Sequence, residues 1–118
     1  MGYTTEFKGQ LVLSKPLTSE QKSQLEQFAE ERHGGYTQPH PDMPGLWCQW
    51  VPTEDGTGLE WDGGEKFYSY VEWLEYLIKH FIEPWGLVLN GEVEWRGEEW
   101  NDTGTIYAID NKVKGENN

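Results

Sequence analysis

DGGEKFYSYVEWLEYLIKHFIEP, residues 62–84, decides the fold class. Phe67, Tyr70, Val71, Leu74, Leu77, Ile78 and Phe81 recur at helical spacing, while Glu72, Glu75, Lys79 and Glu83 form the opposite stripe. The spacing predicts a main helix that starts at an Asp62 cap, carries Glu65 at its third position and stops before Pro84. Trp73 and Tyr76 lie off the apolar stripe. The helix therefore carries a second apolar face that needs a cover from the proline-rich loop, the extra hairpin, a partner or a ligand, and cover by the core or the loop is the first reading.

Downstream, residues 87–89 (LVL) and 93–95 (VEW) flank Asn90-Gly91, a strong two-residue hairpin signal. Residues 105–110 give a last strand after an Asp102-Thr103-Gly104 turn, and residues 112–118 read as a polar, frayed tail. Upstream, residues 3–13 alternate at period two and read as a strand ended by Pro16. Thr18-Ser19-Glu20-Gln21 is a capping box for a helix with Leu25, Phe28 and Ala29 on its inner face, stopped by His33-Gly34-Gly35. The segment 36–45 has three prolines and no period, so it is a loop. Strands at 46–51 and 58–61 are joined by a turn centred on Asp55-Gly56. The order predicts a single α+β domain over 1–111: an antiparallel sheet with two helices. The first topology is a ferredoxin-like β-α-β-β-α-β unit with added C-terminal strands, and the alternative places the helices on one face in another strand order.

Charge sets the first limits on function. The chain has 118 residues, with 9 Lys and Arg against 21 Asp and Glu, for a formal charge of −12. Such a surface argues against binding nucleic acid directly or an anionic membrane. Residues 1–53 carry net −2, residues 54–110 net −11 and residues 111–118 net +1, so the acidic surface belongs to the second half. Seven Trp within 14% aromatic residues suggest an aromatic core in a charged shell. One cysteine, Cys48, excludes an internal disulfide, and its Trp47 and Trp50 neighbours favour a buried, inert thiol. No apolar run reaches membrane-spanning length, and the N-terminus lacks a basic region followed by an apolar run. The expected setting is cytoplasmic.

No catalytic motif is specific. His33, His40 and His80 lack the spacing of a metal site, and no cofactor is implied. Carboxylates occur in pairs, but their number marks none of them as a general acid or base. The turn Trp61-Asp62-Gly63-Gly64-Glu65-Lys66, at the expected helix start, is the place where backbone N–H groups and a lysine would meet a phosphate. Trp47, Trp61 and Trp73 offer stacking surfaces for a flat ring, and Arg96 offers a cation beside Trp95 and Trp100.

The pattern Gly45-Leu46-Trp47-Cys48-Gln49-Trp50-Val51-Pro52-Thr53-Glu54-Asp55-Gly56, followed by Trp61-Asp62-Gly63-Gly64-Glu65-Lys66-Phe67-Tyr68, resembles a family of short, acidic, Trp-rich bacterial and phage proteins. The resemblance extends through Pro84-Trp85-Gly86 and Asp110-Asn111, covers 45–111, and implies a prokaryotic or phage origin without an activity. In composition alone the chain also resembles small acidic phage inhibitors that imitate the charge of DNA.

The first functional expectation is thus a non-enzymatic inhibitor or interaction protein, of the counter-defence kind in a bacterial cell or phage-infected host. Its acidic residues Glu72, Glu75, Glu92, Glu94, Glu98 and Glu99 would dock on a basic, nucleic-acid-binding surface of a partner protein, with aromatic anchors. The alternative is a nucleotide-like ligand held by Trp47, Trp61, Gly63, Gly64, Lys66, Trp73 and Arg96. A carboxylate-dependent enzyme is a further alternative. An exposed strand edge would also allow a homodimer.

Overall fold

The first strand shows how the sheet divides its two faces. Glu6–Lys8 (β1) and Gln10–Leu13 (β2) are one run interrupted at Gly9, where φ is +107°. Both segments pair antiparallel with the long strand Leu89–Arg96 (β5) in a single register, Phe7 opposite Trp95 and Leu11 opposite Gly91. Phe7, Leu11 and Leu13 are buried, whereas Glu6, Lys8, Gln10 and Val12 face solvent. Successive side chains of a strand point to opposite faces, so one face of the sheet becomes core and the other stays open.

The computed structural model describes residues 5–35, 38–64 and 67–117. Trp50–Pro52 (β3), Gly58–Trp61 (β4), Thr103–Ile109 (β6) and Lys112–Asn117 (β7) complete the sheet. The strand order is β3-β4-β2-β5-β6-β7, with β1 also on β5, and every pairing is antiparallel. Two helices, Ser19–Glu30 (α1) and Tyr70–Leu77 (α2), cover the inner face; a π-helical turn, Ile78–Ile82, continues α2. Leu25 of α1 and Trp73, Leu74 and Leu77 of α2 join Leu11, Leu59, Val93 and Ile106 in one core. The expected α+β class, an antiparallel sheet with two helices, is therefore present.

The capping box forms as expected. Gln21 N–H donates to Thr18 Oγ1 at 3.1 Å, and Thr18 N–H donates to Gln21 Oε1 at 3.0 Å. The turn at Asp55-Gly56 also forms, with Gly56 at φ +75°. Asp55 Oδ1 accepts from Thr53 Oγ1, Thr57 N–H and Thr57 Oγ1 at 2.7–3.1 Å.

Other expectations are corrected. Helix α1 stops at Glu30 with an extended Glu31 rather than at a left-handed glycine. Gly34 instead forms a bridge to Pro39, where a Cβ would collide with Gln38 and Pro39. The strand expected over 46–51 is confined to Trp50–Pro52. Helix α2 starts at Tyr70, behind a left-handed Ser69 with no side-chain cap, and not at Asp62. Phe67 explains the delay. It is buried from a non-helical segment, 5.6 Å from Phe7 and 5.4 Å from Trp50 between ring centroids. Glu65, the expected third position, lies outside the described residues.

The largest correction is at Asn90-Gly91, which is not a hairpin turn. β5 runs through it, paired on one side with β2 and on the other with β6. Gly91 at φ +125° brings the backbone close to Leu11, and Asn90 Oδ1 accepts from Asp110 N–H at 2.9 Å. The tight turn is Asp110-Asn111, both left-handed at φ +48° and +71°. Asn111 Oδ1 accepts from Leu89 N–H at 2.7 Å and its Nδ2 donates to Leu87 O at 3.0 Å. Residues 112–117, expected as a frayed tail, form β7. The turn placed at 102–104 is displaced upstream, because Thr103 and Gly104 already belong to β6.

Candidate functional site

The β5–β6 connection gathers acidic and aromatic groups at one end of the sheet. Gly97 N–H donates to Asp102 O at 2.7 Å and Asp102 N–H donates to Glu99 O at 3.0 Å, which closes residues 97–102 into a tight loop. Glu98 and Glu99 are exposed there, and Trp100 stands between them and Asp102 with 85% of its surface in solvent. Among the described large apolar side chains that are exposed, Trp100 is the most so; Tyr68, at 59%, and Trp47 are also exposed. Below the loop, the Tyr70 ring lies 6.1 Å from that of Trp95. Burial pushes the Tyr70 hydroxyl above its ordinary range, and the negative charges of Asp102 and Glu72 push it further.

The six predicted partner-binding acids consequently do not share one face. Glu98 and Glu99 belong to the loop end and Glu72 to the first turn of α2, whereas Glu92 and Glu94 stand on the open face of β5. Glu75, on α2, borders Lys79 and Lys112. The open face is charge-mixed: Glu6 is opposite Arg96, Lys8 is opposite Glu94, and Lys114 pairs with Glu116 at 2.8 Å. Neighbouring opposite charges on this face cancel at short range.

The alternative ligand set is also divided. Trp61 and Arg96 line one concavity of about 620 Å³, with Lys8, Glu6 and Glu94 at its wall. The Trp61 indole N–H donates to Gln49 Oε1 at 2.9 Å and its ring lies 5.4 Å from Phe7. Trp47 stands apart under the Arg32 guanidinium, 5.9 Å from its ring centroid. Trp73 drops out of the ligand set as a correction, because the second apolar face is covered by the protein's own packing. It is fully buried, with ring centroids 5.8 Å from Phe28 and 5.3 Å from His33, so α1 and the loop after it provide the cover.

The glycine turn is not built as an anion cradle. Asp62 Oδ1 already accepts the Gly64 N–H at 2.7 Å, and no helix begins there. Gly63 adopts φ +86°, and Lys66 lies outside the described residues. Burial raises the Asp62 carboxyl above its ordinary range, whereas the three bonds from Thr53 and Thr57 lower that of Asp55. Burial pushes the Cys48 thiol up to about 12. Among the described residues, no group of three or more His, Cys, Asp or Glu is placed to hold a metal ion, and no helix is long and apolar enough to cross a membrane.

Sequence reasoning named Glu98 and Glu99 but passed over Trp100 as a site residue. The signal was the isolation of a Trp among Glu98, Glu99, Asn101 and Asp102, with no apolar neighbour at strand or helix spacing to pack against. No protein-family model, curated protein or solved structure matches this chain.

Proposed function

We propose that this chain is a non-enzymatic interaction protein of the inhibitor kind, acting in a bacterial or phage setting. Its acidic loop docks on the basic, nucleic-acid-binding surface of a partner protein. The observation that carries this reading is Trp100, 85% exposed at the tip of a closed loop flanked by Glu98, Glu99 and Asp102. A solvated indole gains several kcal/mol, roughly 25 cal/mol per Å² of apolar area, when a partner buries it. The surrounding carboxylates steer the loop toward a basic rim and speed association. The partner surface is accordingly an apolar slot bordered by Lys and Arg.

The framework that presents this loop is best read as a ferredoxin-like β-α-β-β-α-β unit extended by β6 and β7. The antiparallel order β3-β4-β2-β5 and the positions of α1 and α2 between strands support that reading. In it, the proposed site lies on the junction between the basic unit and its extension.

The test is affinity capture from bacterial lysate with the unmutated chain, W100A, E98K/E99K and E92K/E94K, each over a salt series. The expected result is retention of nucleic-acid-binding proteins at low salt that is lost at high salt. W100A and E98K/E99K should abolish it, and E92K/E94K should weaken it less. Equal retention by all four proteins sinks the reading.

A second reading rests on the concavity that joins Trp61, Arg96 and Lys8. A nucleotide-like ring would stack on Trp61, with its anionic group toward Arg96 and Lys8. Titration of a nucleotide panel against tryptophan fluorescence, repeated with R96A, tests it. A response in the unmutated chain that R96A removes supports it, and a flat response removes it.

A further inference from the structure

Strand β7 is an edge: among the described residues, β6 alone pairs with it. Its hairpin with β6 has a two-residue loop, Asp110-Asn111. In such a hairpin the flanking residues, Ile109 and Lys112, exchange both backbone hydrogen bonds. By alternation, Lys114 and Glu116 also turn their backbone groups toward β6, opposite Tyr107 and Thr105. Val113, Gly115 and Asn117 therefore aim N–H and C=O outward.

We infer that a second copy of this chain occupies that edge, antiparallel, about a twofold axis at Gly115. In this register Gly115 meets Gly115 of the other copy, and Val113 meets Asn117, as hydrogen-bonded pairs. Lys114 then stands opposite Glu116 of the other copy in a non-hydrogen-bonded pair, where side chains approach most closely. The twofold axis repeats the contact. The Lys114–Glu116 ion pair within each chain, at 2.8 Å, becomes part of a four-charge row.

Charge distribution selects this edge. Two copies of a −12 chain repel, but residues 111–118 carry net +1, so repulsion is least here. A lysine on an edge strand ordinarily guards against pairing; self-complementarity of Lys114 and Glu116 removes that protection for one partner, the same strand reversed. The opposite edge, β3, is three residues long and contains Pro52, which has no N–H to donate. Val71 and Val113, half-buried at the β7 edge, gain further cover from the second copy.

Sedimentation equilibrium of the unmutated chain, K114E, E116K and K114E/E116K tests the register. The unmutated chain should dimerise. Each single reversal places like charges opposite one another twice and should weaken the dimer roughly tenfold or more. The double reversal restores opposite charges in both copies and should recover the dimer. Circular dichroism on all four proteins separates lost pairing from lost folding. Amide exchange should slow with concentration at Val113, Gly115 and Asn117 and not at Lys114. A chain that stays monomeric to roughly 0.5 mM, well above micromolar dissociation constants, overturns the inference. So does a dimer indifferent to single reversal, or one that the double reversal fails to rescue.

Discussion

Two tryptophans mark the extremes of this sequence. Trp73 is fully enclosed by Phe28, His33 and Tyr76, whereas Trp100 has almost no cover. W73A should cost about 3–5 kcal/mol in chemical denaturation, as large-to-small changes in a packed core do. W100A should stay within about 0.5 kcal/mol of the unmutated protein. Sequence pattern alone leaves Trp73 on a second apolar face with several covers open, because Phe28 and His33, which help to enclose it, lie far from it in the chain. Asp55 gives a residue-scale prediction in pH. Its carboxyl is held below the usual carboxylate value by bonds from Thr57 and Thr53. The stability it contributes is therefore present above the unfolded-state value and lost as pH falls through the folded one. D55A should flatten that acid limb in thermal melts recorded from neutral pH downward, while leaving the neutral-to-alkaline region parallel to the unmutated curve. Cys48 is a third case. It is enclosed and burial pushes its thiol up to about 12, so a thiol reagent should modify it only at the rate of unfolding, measured in a denaturant series.

At the scale of elements, local chemistry was legible where the deciding partners are neighbours in sequence. The Thr18–Gln21 box needs only four residues, and it forms; T18A should cost about 1 kcal/mol by denaturation. The Asp55-Gly56 turn is likewise self-contained. Asn90-Gly91 failed for the opposite reason. Its conformation is dictated by Leu11 on one side and Ala108 on the other, residues far away in the chain. Glycine serves there to let the central strand pass close to β2, and the asparagine reaches across to Asp110. The same logic hid the C-terminal strand: β7 is polar in sequence, and only β6 beside it makes it a strand. Asp62 looked like a helix cap until the burial of Phe67 postponed the helix. The candidate site was half legible. Its acids could be counted along the chain, but their division between the loop end and the charge-mixed open face depends on cross-strand register.

Over the whole molecule, a charge of −12 has a thermodynamic consequence besides steering. Folding concentrates that charge on a small surface, and the acidic second half carries most of it. Added salt screens the self-repulsion, with a Debye length of about 30 Å at 0.01 M and about 10 Å at 0.1 M. Thermal melts should accordingly rise with sodium chloride over that range. A melting temperature that falls instead would mean that ion pairs outweigh repulsion.

The central position of β5 also orders events in time. Phe7 pairs with Trp95 and Leu11 with Gly91, so β1 and β2 meet β5 only after both helices and two intervening strands have been made. β5, β6 and β7 are consecutive and close by short turns, and local pairing of that kind forms faster than closure of a long loop. During synthesis β2 can pair with β4 and pack under α1 early, but the Phe7 end of the strand, which pairs with β5 alone, gains its partner only when the β5–β7 meander has emerged.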